Sequence, residues 1–439
     1  MNGQMKLAVG LGRRWNSGVR NRKEEGSEPV VAIGRKAVRP TSEIDFWRVR
    51  AGRAVEAGGT PALVFAAEPL VEQGRRLGLA FEGLPVRQWW SFKTLPLRSA
   101  VREWRSLGHG VEVVSEFELR AVLAMGVPPK DILVNGPAKH TWLPQHGVSE
   151  LRVNFDSLTE IRTLSGVAAK NGWAVGLRLN TASEENFEYP GVRTQFGLLP
   201  HEIAPALKAL ARLGLQPEVL HFHLRTNVAE ARCYREAAWE ALEWAVAAGW
   251  RPRVLDIGGG LPPERVLTRK GSPLDAGFSL ASLREALIGV RSKHRFLEEI
   301  WMENGRWVTA SAGVLVVRVL DVKEGRGART LICDGGRTLQ AMVATWERHA
   351  LFPVARRRGG LVKTIVCGPT CMAFDNLGIH DLPSTVGVGD LLVWMDAGAY
   401  QMSWETRFSH GLGAVVWTRG EKVEVVRPRE MFETWWAGR

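Results

Sequence analysis

The runs VLHFHL (219–224), RVLDIG (253–258, followed by Gly259 and Gly260) and IWMENG (300–305) decide the fold. Each is a short apolar segment ending on polar or glycine residues, and a stretch of helical period follows the first two. Strands buried on both faces of a parallel sheet have this form, because neither face alternates with water. Working outward, five similar runs precede them, at 89–93, 111–115, 131–136, 151–155 and 174–180. Helical patterns fall at 99–107, 116–125, 157–171, 201–213, 229–248 and 280–293, with Ser115 as an N-cap and Gly126 as a stop. Eight strands, most followed by a helix, within residues 89–305 fit an α/β fold, a (β/α)8 TIM-type barrel. A doubly wound sheet shares the alternation but usually has fewer strands.

Beyond residue 305 the pattern changes. Apolar, largely β-branched runs at 307–322, 330–334, 363–366, 390–394 and 413–417 are separated by Gly and Pro. They predict antiparallel strands of a C-terminal all-β domain. The expected division is a basic N-terminal extension over 1–43, a barrel over 68–305, and a β-sandwich or β-barrel made of 44–67 with 306–439. No internal repeat or low-complexity stretch is found.

With 439 residues, 45% hydrophobic and 24% charged, the composition excludes a disordered chain, a collagen and a coiled coil. No apolar run reaches the roughly 18 residues of a spanning helix. The first, at 7–11, is too short for a signal peptide and meets Arg13 and Arg14 at once. Cys233, Cys333, Cys367 and Cys371 lack metal-ligand spacing, so a reduced, cytoplasmic protein without a metal site is expected. Residues 1–40 hold nine basic and three acidic residues, which supplies half of the net charge of +12. That segment predicts a loosely ordered extension, or an arm for an acidic partner. The remainder has no basic stripe interleaved with aromatics, so neither nucleic acid nor membrane is an expected partner.

A barrel enzyme carries its chemistry at the C-terminal ends of its strands. Those ends hold Lys93, His221, His223, Gly258, Gly259, Gly260, Glu303 and Arg306. Singly, each has an ordinary explanation: a snorkelling lysine, a core histidine, a tight turn, an ion pair. Together they suggest pyridoxal 5'-phosphate. That cofactor needs an amine for its aldehyde, N–H donors for its phosphate and a carboxylate for its ring nitrogen.

At this point the sequence resembles the fold-type III pyridoxal-phosphate decarboxylases, the group of diaminopimelate, ornithine and arginine decarboxylases. The resemblance runs over most of 58–410. It is carried by TPALVF (60–65), FK (92–93), VEVVSEFEL (111–119), ILVNGPAK (132–139), RVNFDS (152–157), LRLN (177–180), HFHL (221–224), LDIGGGLP (255–262), ENGR (303–306), CGPTC (367–371) and DAGAY (396–400). It implies an alanine racemase-like barrel with a β domain. It further implies that Lys93 forms the internal aldimine, His223 stacks on the cofactor ring and Glu303 pairs with the ring nitrogen. Gly258, Gly259, Gly260, Arg306 and Tyr400 would hold the phosphate, with Thr226 where the family usually has serine. Cys371 would reach the partner subunit's site and protonate the quinonoid carbanion after carbon dioxide leaves, which implies a homodimer with shared sites.

The departures concern the substrate. Met372 follows Cys371 where diaminopimelate and ornithine decarboxylases place an acid, although Asp375 survives from the same motif. Counted from Asp334, the diaminopimelate enzymes' carboxylate-binding Arg and Tyr fall at Met342 and Trp346. Lys93-Thr94-Leu95 replaces KAN, Thr194-Gln195-Phe196-Gly197 replaces SKFG, and Asn304 replaces a proline. Trp346, Met372 and Asp375 are therefore the candidate substrate residues. Trp89, Trp90 and Trp346, three of 18 tryptophans, are expected near the cofactor, and with Met372 they hint at a less polar substrate end. The leading expectation is a decarboxylase for an amino acid, or derivative, other than diaminopimelate or ornithine. A substrate carried by an acidic carrier protein is a variant that would use the basic N-terminus. A racemase or epimerase, which Glu303 argues against, and a non-catalytic cofactor-binding relative are the alternatives.

Overall fold

The computed structural model describes residues 39–181, 192–325 and 327–437. Eight parallel strands close into a barrel: Val86–Ser91, Gly110–Val113, Ile132–Val134, Arg152–Phe155, Ala174–Arg178, Val219–His221, Val254–Asp256 and Glu299–Asn304. The last pairs with the first, Glu303 opposite Trp89, which closes the ring. Helices Arg98–Ser106, Glu116–Ala124, Leu158–Asn171, Pro200–Ala211, Arg232–Ala247 and Leu280–Lys293 lie outside it. Their starts are set by local chemistry: the hydroxyls of Ser115, Ser157 and Ser279 accept the N–H groups of Glu118, Glu160 and Ser282. Gly126, at φ 78°, ends the second helix as expected. After Ile132–Val134 the helix is replaced by two short 3-10 turns, Lys139–Thr141 and Leu143–His146.

The C-terminal part is built on a nine-stranded sheet. Its centre is Gly313–Lys323, flanked by Ala62–Ala66, Arg329–Cys333 and Leu391–Trp394. The expectation of purely antiparallel strands is corrected here. Ala62–Ala66 pairs in parallel with Ala414–Arg419, and Arg329–Cys333 with Leu361–Cys367. A strand contributed from residues before the barrel approaches the sheet from the far end of the chain, and so is free to run either way.

Two further expectations fail locally. Residues 307–312 are not strand but the helix Arg306–Thr309 and the turn Ala310–Ala312, because Val308 and Thr309 bond back to the Gly305 carbonyl. Residues 41–43 do not belong to the extension: they open the helix Thr41–Gly58, which buries Ile44, Trp47, Ala51 and Ala54 on one face. Just before it Arg39 is buried and paired with Glu43, at 2.9 Å, and with Asp396. The rest of the expected extension, 1–38, lies outside the described residues. No helix among the described residues is long and apolar enough to cross a membrane.

Candidate active site

Side chains alternate along a strand, so every second residue points into the barrel. Trp89, Leu133, Val219, Val254 and Trp301 form one buried apolar cluster there. Two residues further along the same five strands stand Ser91, Asn135, His221, Asp256 and Glu303. The interior thus turns from apolar to polar within a single pleat. All five of these polar residues are buried.

Lys93 lies just past the strand end, in the turn Phe92–Thr94, where Thr94 Oγ1 donates to the Ser91 carbonyl. Its Nζ is 2.7 Å from Glu112 Oε2, and Glu112 is 1% exposed. Burial alone would lower the ammonium's pKa, but the carboxylates of Glu112 and Glu303 outweigh it and hold it above the ordinary lysine value. Glu303 Oε1 accepts from Asn135 Nδ2 at 2.6 Å and lies 3.2 Å from His221 Nε2. Burial, followed by the neighbouring Asp256 and Glu112 carboxyls, pushes Glu303 well above the carboxylic-acid range. His223 accepts the Gly259 N–H on Nδ1 at 3.1 Å, and burial with the nearby Arg178 charge holds it neutral, down to about 3.

The three glycines admit no other residue. Gly258 and Gly260 have φ of 65° and 94°, and a Cβ on Gly260 would stand 2.2 Å from the Arg225 carbonyl. A Cβ on Gly259 would stand 2.4 Å from the Glu303 carbonyl. Tyr234 pins the turn by donating to the Gly259 carbonyl at 2.8 Å. Across the opening, Arg306 lies 4.9 Å over the Tyr400 ring and is paired with Glu347. Its Nε is buried without a partner, and the Gly260 N–H has none among the described residues.

These groups surround one cavity, with an empty volume of about 550 Å³ including its open mouth. Lys93, His223, Thr226, Gly259, Gly260, Glu303, Arg306 and Tyr400 line it, together with Ser91 and Asn227, which sequence reasoning did not single out. Gly258 lies behind the wall, its N–H donating to Asp256. A group with an aldehyde, a ring nitrogen and a phosphate fits this donor set: an amine, a buried carboxyl, and the unpartnered Gly260 N–H and Arg306 Nε beside two hydroxyls. Glu112, Asn135 and Asp256 were missed altogether. The available signal was a polar side chain at an inward position of an otherwise apolar run.

The other candidates lie elsewhere. Cys371, Met372, Asp375 and Trp346 do not line the cavity. Cys371 is exposed. Asp375 departs from the expectation of a free substrate carboxylate: it is buried and accepts from the Arg337 N–H at 2.7 Å, the Thr370 N–H at 3.1 Å and the Thr370 hydroxyl at 2.7 Å. Its charge is engaged in fastening its own loop. Trp346 is half exposed and packs edge-on against Trp404 at 5.1 Å. Trp89 and Trp90 are not cofactor neighbours. Adjacent on one strand, they point to opposite faces, Trp89 against Trp301 inside and Trp90 against Trp104 outside.

A barrel mouth that gathers an amine, a glycine cradle and a buried carboxyl defines a cofactor-dependent barrel enzyme. Residues 69–310, more than half of the chain, match the family model described as "Pyridoxal-dependent decarboxylase, pyridoxal binding domain", and the chain belongs to that family. It is a pyridoxal-phosphate-dependent amino-acid decarboxylase, and its cofactor is pyridoxal 5'-phosphate. Among similar curated proteins, the diaminopimelate decarboxylase of Actinosynnema pretiosum is 29% identical over 422 residues, covering 90% of this chain and 95% of that one. The diaminopimelate decarboxylase of Zymomonas mobilis is 25% identical over 393 residues, covering 85% and 91%. Among solved structures, diaminopimelate decarboxylase from M. jannaschii in co-complex with L-lysine superposes with a TM-score of 0.77 at 22% identity, covering 93% of this chain and 97% of that one. The Helicobacter pylori enzyme complexed with L-lysine gives 0.76 at 21% identity, covering 88% and 98%. These superpositions show a shared fold.

Proposed function

We propose that this chain decarboxylates an amino acid or amino-acid derivative other than diaminopimelate or ornithine, in the cavity between Lys93, His223, Glu303 and Arg306. The observation that carries the reading is the convergence of eight sequence-selected residues on that one cavity. Bound there, pyridoxal phosphate supplies the electron sink that lets a Cα–carboxylate bond break. Lys93 would hold its aldehyde carbon, Glu303 its ring nitrogen, and Gly260, Arg306, Thr226 and Tyr400 its phosphate. Lys93 must lose a proton before its amine can react, and Glu112, 2.7 Å away, is the acceptor at hand. His223 is held neutral by burial and presents an uncharged ring to the cavity.

The substrate reading rests on the loop after Cys367. Met372 offers a thioether where an acid would grip a distal ammonium, and Asp375 is already engaged by three donors. The names of the relatives favour a second reading, decarboxylation of diaminopimelate. An exposed Cys371 outside its own chain's cavity supports a homodimer in which each thiol protonates product in the partner's site. The carrier-bound variant keeps only the basic segment 1–40 in its support.

Borohydride reduction of the purified protein with pyridoxal phosphate, followed by peptide mass analysis, tests the site. Mass added at Lys93 is the expected result, and an unmodified Lys93 rejects it. Carbon dioxide release from diaminopimelate, ornithine and apolar amino acids then separates the substrate readings.

A further inference from the structure

Directly under the cavity, Asp256 and Glu303 meet on neighbouring strands, Val254–Asp256 and Glu299–Asn304. Asp256 is fully buried and Glu303 is 4% exposed. With His221 the two carboxyl groups bring three ligand-type atoms within 4.8 Å of one another. Two buried carboxylates this close repel each other, and a single proton on the pair removes the repulsion. Both Asp256 oxygens are also engaged as acceptors: Oδ1 takes the Gly258 N–H at 3.0 Å and Oδ2 takes Asn154 Nδ2 at 3.2 Å. A proton, rather than a cation, therefore relieves the repulsion. Glu303 faces Asn135, His221 and the Lys93 charge, and both it and Asp256 face the Glu112 carboxyl.

We propose that Asp256 is a positioning residue that couples the two ends of the cofactor site. A proton shared between the two carboxyls fixes Glu303 for the ring nitrogen, while Oδ1 holds Gly258 at the start of the glycine cradle. The inference rests on the reading of Glu303 given above and adds the group behind it. One buried side chain then links the electronic and the phosphate ends of the site. Burial raises both carboxyls, Asp256 to about 7 and Glu303 well above the carboxylic-acid range, which fits one proton held between them.

The test compares Asp256→Asn, Asp256→Ala and Glu303→Gln as holoproteins with the wild type. The readouts are pyridoxal-phosphate affinity and, at saturating cofactor, the pH dependence of the bound cofactor's absorbance. Asp256→Ala should bind the cofactor about tenfold more weakly, the loss expected when a hydrogen bond to a charged group is removed. It should also move the absorbance transition by about one pH unit or more. Asn can still donate to Glu303 and accept from Gly258, so Asp256→Asn should stay close to wild type in both. Wild-type affinity and pH profile in Asp256→Ala, or an Asn variant as damaged as Ala, overturns the proposal. If Glu303→Gln leaves the absorbance profile unchanged, the Glu303 reading falls and the Asp256 proposal with it. A changed Glu303→Gln beside an unchanged Asp256→Ala removes the Asp256 proposal alone. Should the Ala variant fail to fold, the infrared difference between wild type and Asp256→Asn decides. The carbonyl band of a protonated carboxyl is expected, and carboxylate bands alone overturn the assignment.

Discussion

Two layers of the barrel interior lie one pleat apart and obey opposite rules. In the lower layer Trp89 and Trp301 meet edge-on at 5.0 Å, with Leu133, Val219 and Val254 around them. Space for the indoles is made by omission: a Cβ on Gly110 would stand 2.3 Å from the Trp89 ring. Arg87 and Arg152 lie over the two indoles, at 4.5 and 5.3 Å. In the upper layer the same strands present Asn135, His221, Asp256 and Glu303; Asn135 donates to Glu303, and the three titratable groups are displaced from their ordinary pKa ranges. The lower layer is shape and the upper layer is charge. Stability and chemistry are thereby assigned to different turns of one pleat, and substitutions should separate them.

The largest separation is expected from Lys93→Ala. Turnover and borohydride-stable cofactor attachment should both fall to background. The apolar layer is untouched, so cooperative unfolding should persist. Residual turnover at even a few per cent of wild type would break the assignment of chemistry to the upper layer.

Next in size is Cys371→Ala, with a loss of roughly 10²–10⁴ in product formation, the span of a missing general acid. Cofactor attachment should be unchanged, since Cys371 lies outside its own chain's cavity. Mixing Lys93→Ala and Cys371→Ala chains should then restore activity to about a quarter of wild type if two-fold dimers share their sites. An inactive mixture of proven heterodimers would leave each chain with a complete site of its own.

Trp301→Ala addresses the lower layer. Truncating a buried aromatic costs about 3–5 kcal/mol, measurable by denaturant unfolding. Cofactor affinity of the folded fraction should change little. A large loss of affinity with little loss of stability would invert the comparison.

The two layers also differ in how far they could be read from the sequence. The eight strands were legible because each is a short apolar run closed by a turn signal, and the cavity-lining residues were legible where they stand at or past strand ends. Glu112, Asn135 and Asp256 were not, because each lies within or directly at the end of a run judged by its apolarity rather than by its alternation. Trp89 and Trp90 misled for the same reason: adjacent strand residues face opposite sides, and neither faces the cofactor. That Asp375 is engaged could not be read, since besides Thr370 in its own loop it accepts from Arg337, which depends on how two loops of the sheet meet. The helix Thr41–Gly58 escaped because Ala51 and Ala54 make a weak apolar stripe. The parallel pairing of Ala62–Ala66 with Ala414–Arg419 joins residues some 350 positions apart, and no local pattern encodes it.

The smallest expected effect is on pH dependence, and it belongs to the upper layer alone. His223 is held at about 3 in the folded chain against 6.5 for the free side chain. Below 6.5 the unfolded chain binds a proton there that the folded chain refuses. Its contribution is therefore nil above 6.5 and increasingly destabilising as the pH falls from 6.5 towards 3. Each pH unit is worth about 1.4 kcal/mol at a fully desolvated group. His223 is only partly buried at the cavity wall, so about 1–2 kcal/mol should be lost between pH 7 and 5 on its account. Asp256 works in the opposite sense: it is raised to about 7, so it binds its proton first in the folded chain and adds stability as the pH falls from 7 towards 4. The two contributions oppose each other, so differences between variants are the informative quantity. In the protein without added cofactor, His223→Gln should flatten the acid-side loss by that 1–2 kcal/mol and Asp256→Asn should steepen it. Trp301→Ala should lower the whole curve without changing its slope. Equal slopes in all three would mean that the buried charges are not confined to one pleat, and the division between shape and charge would fail.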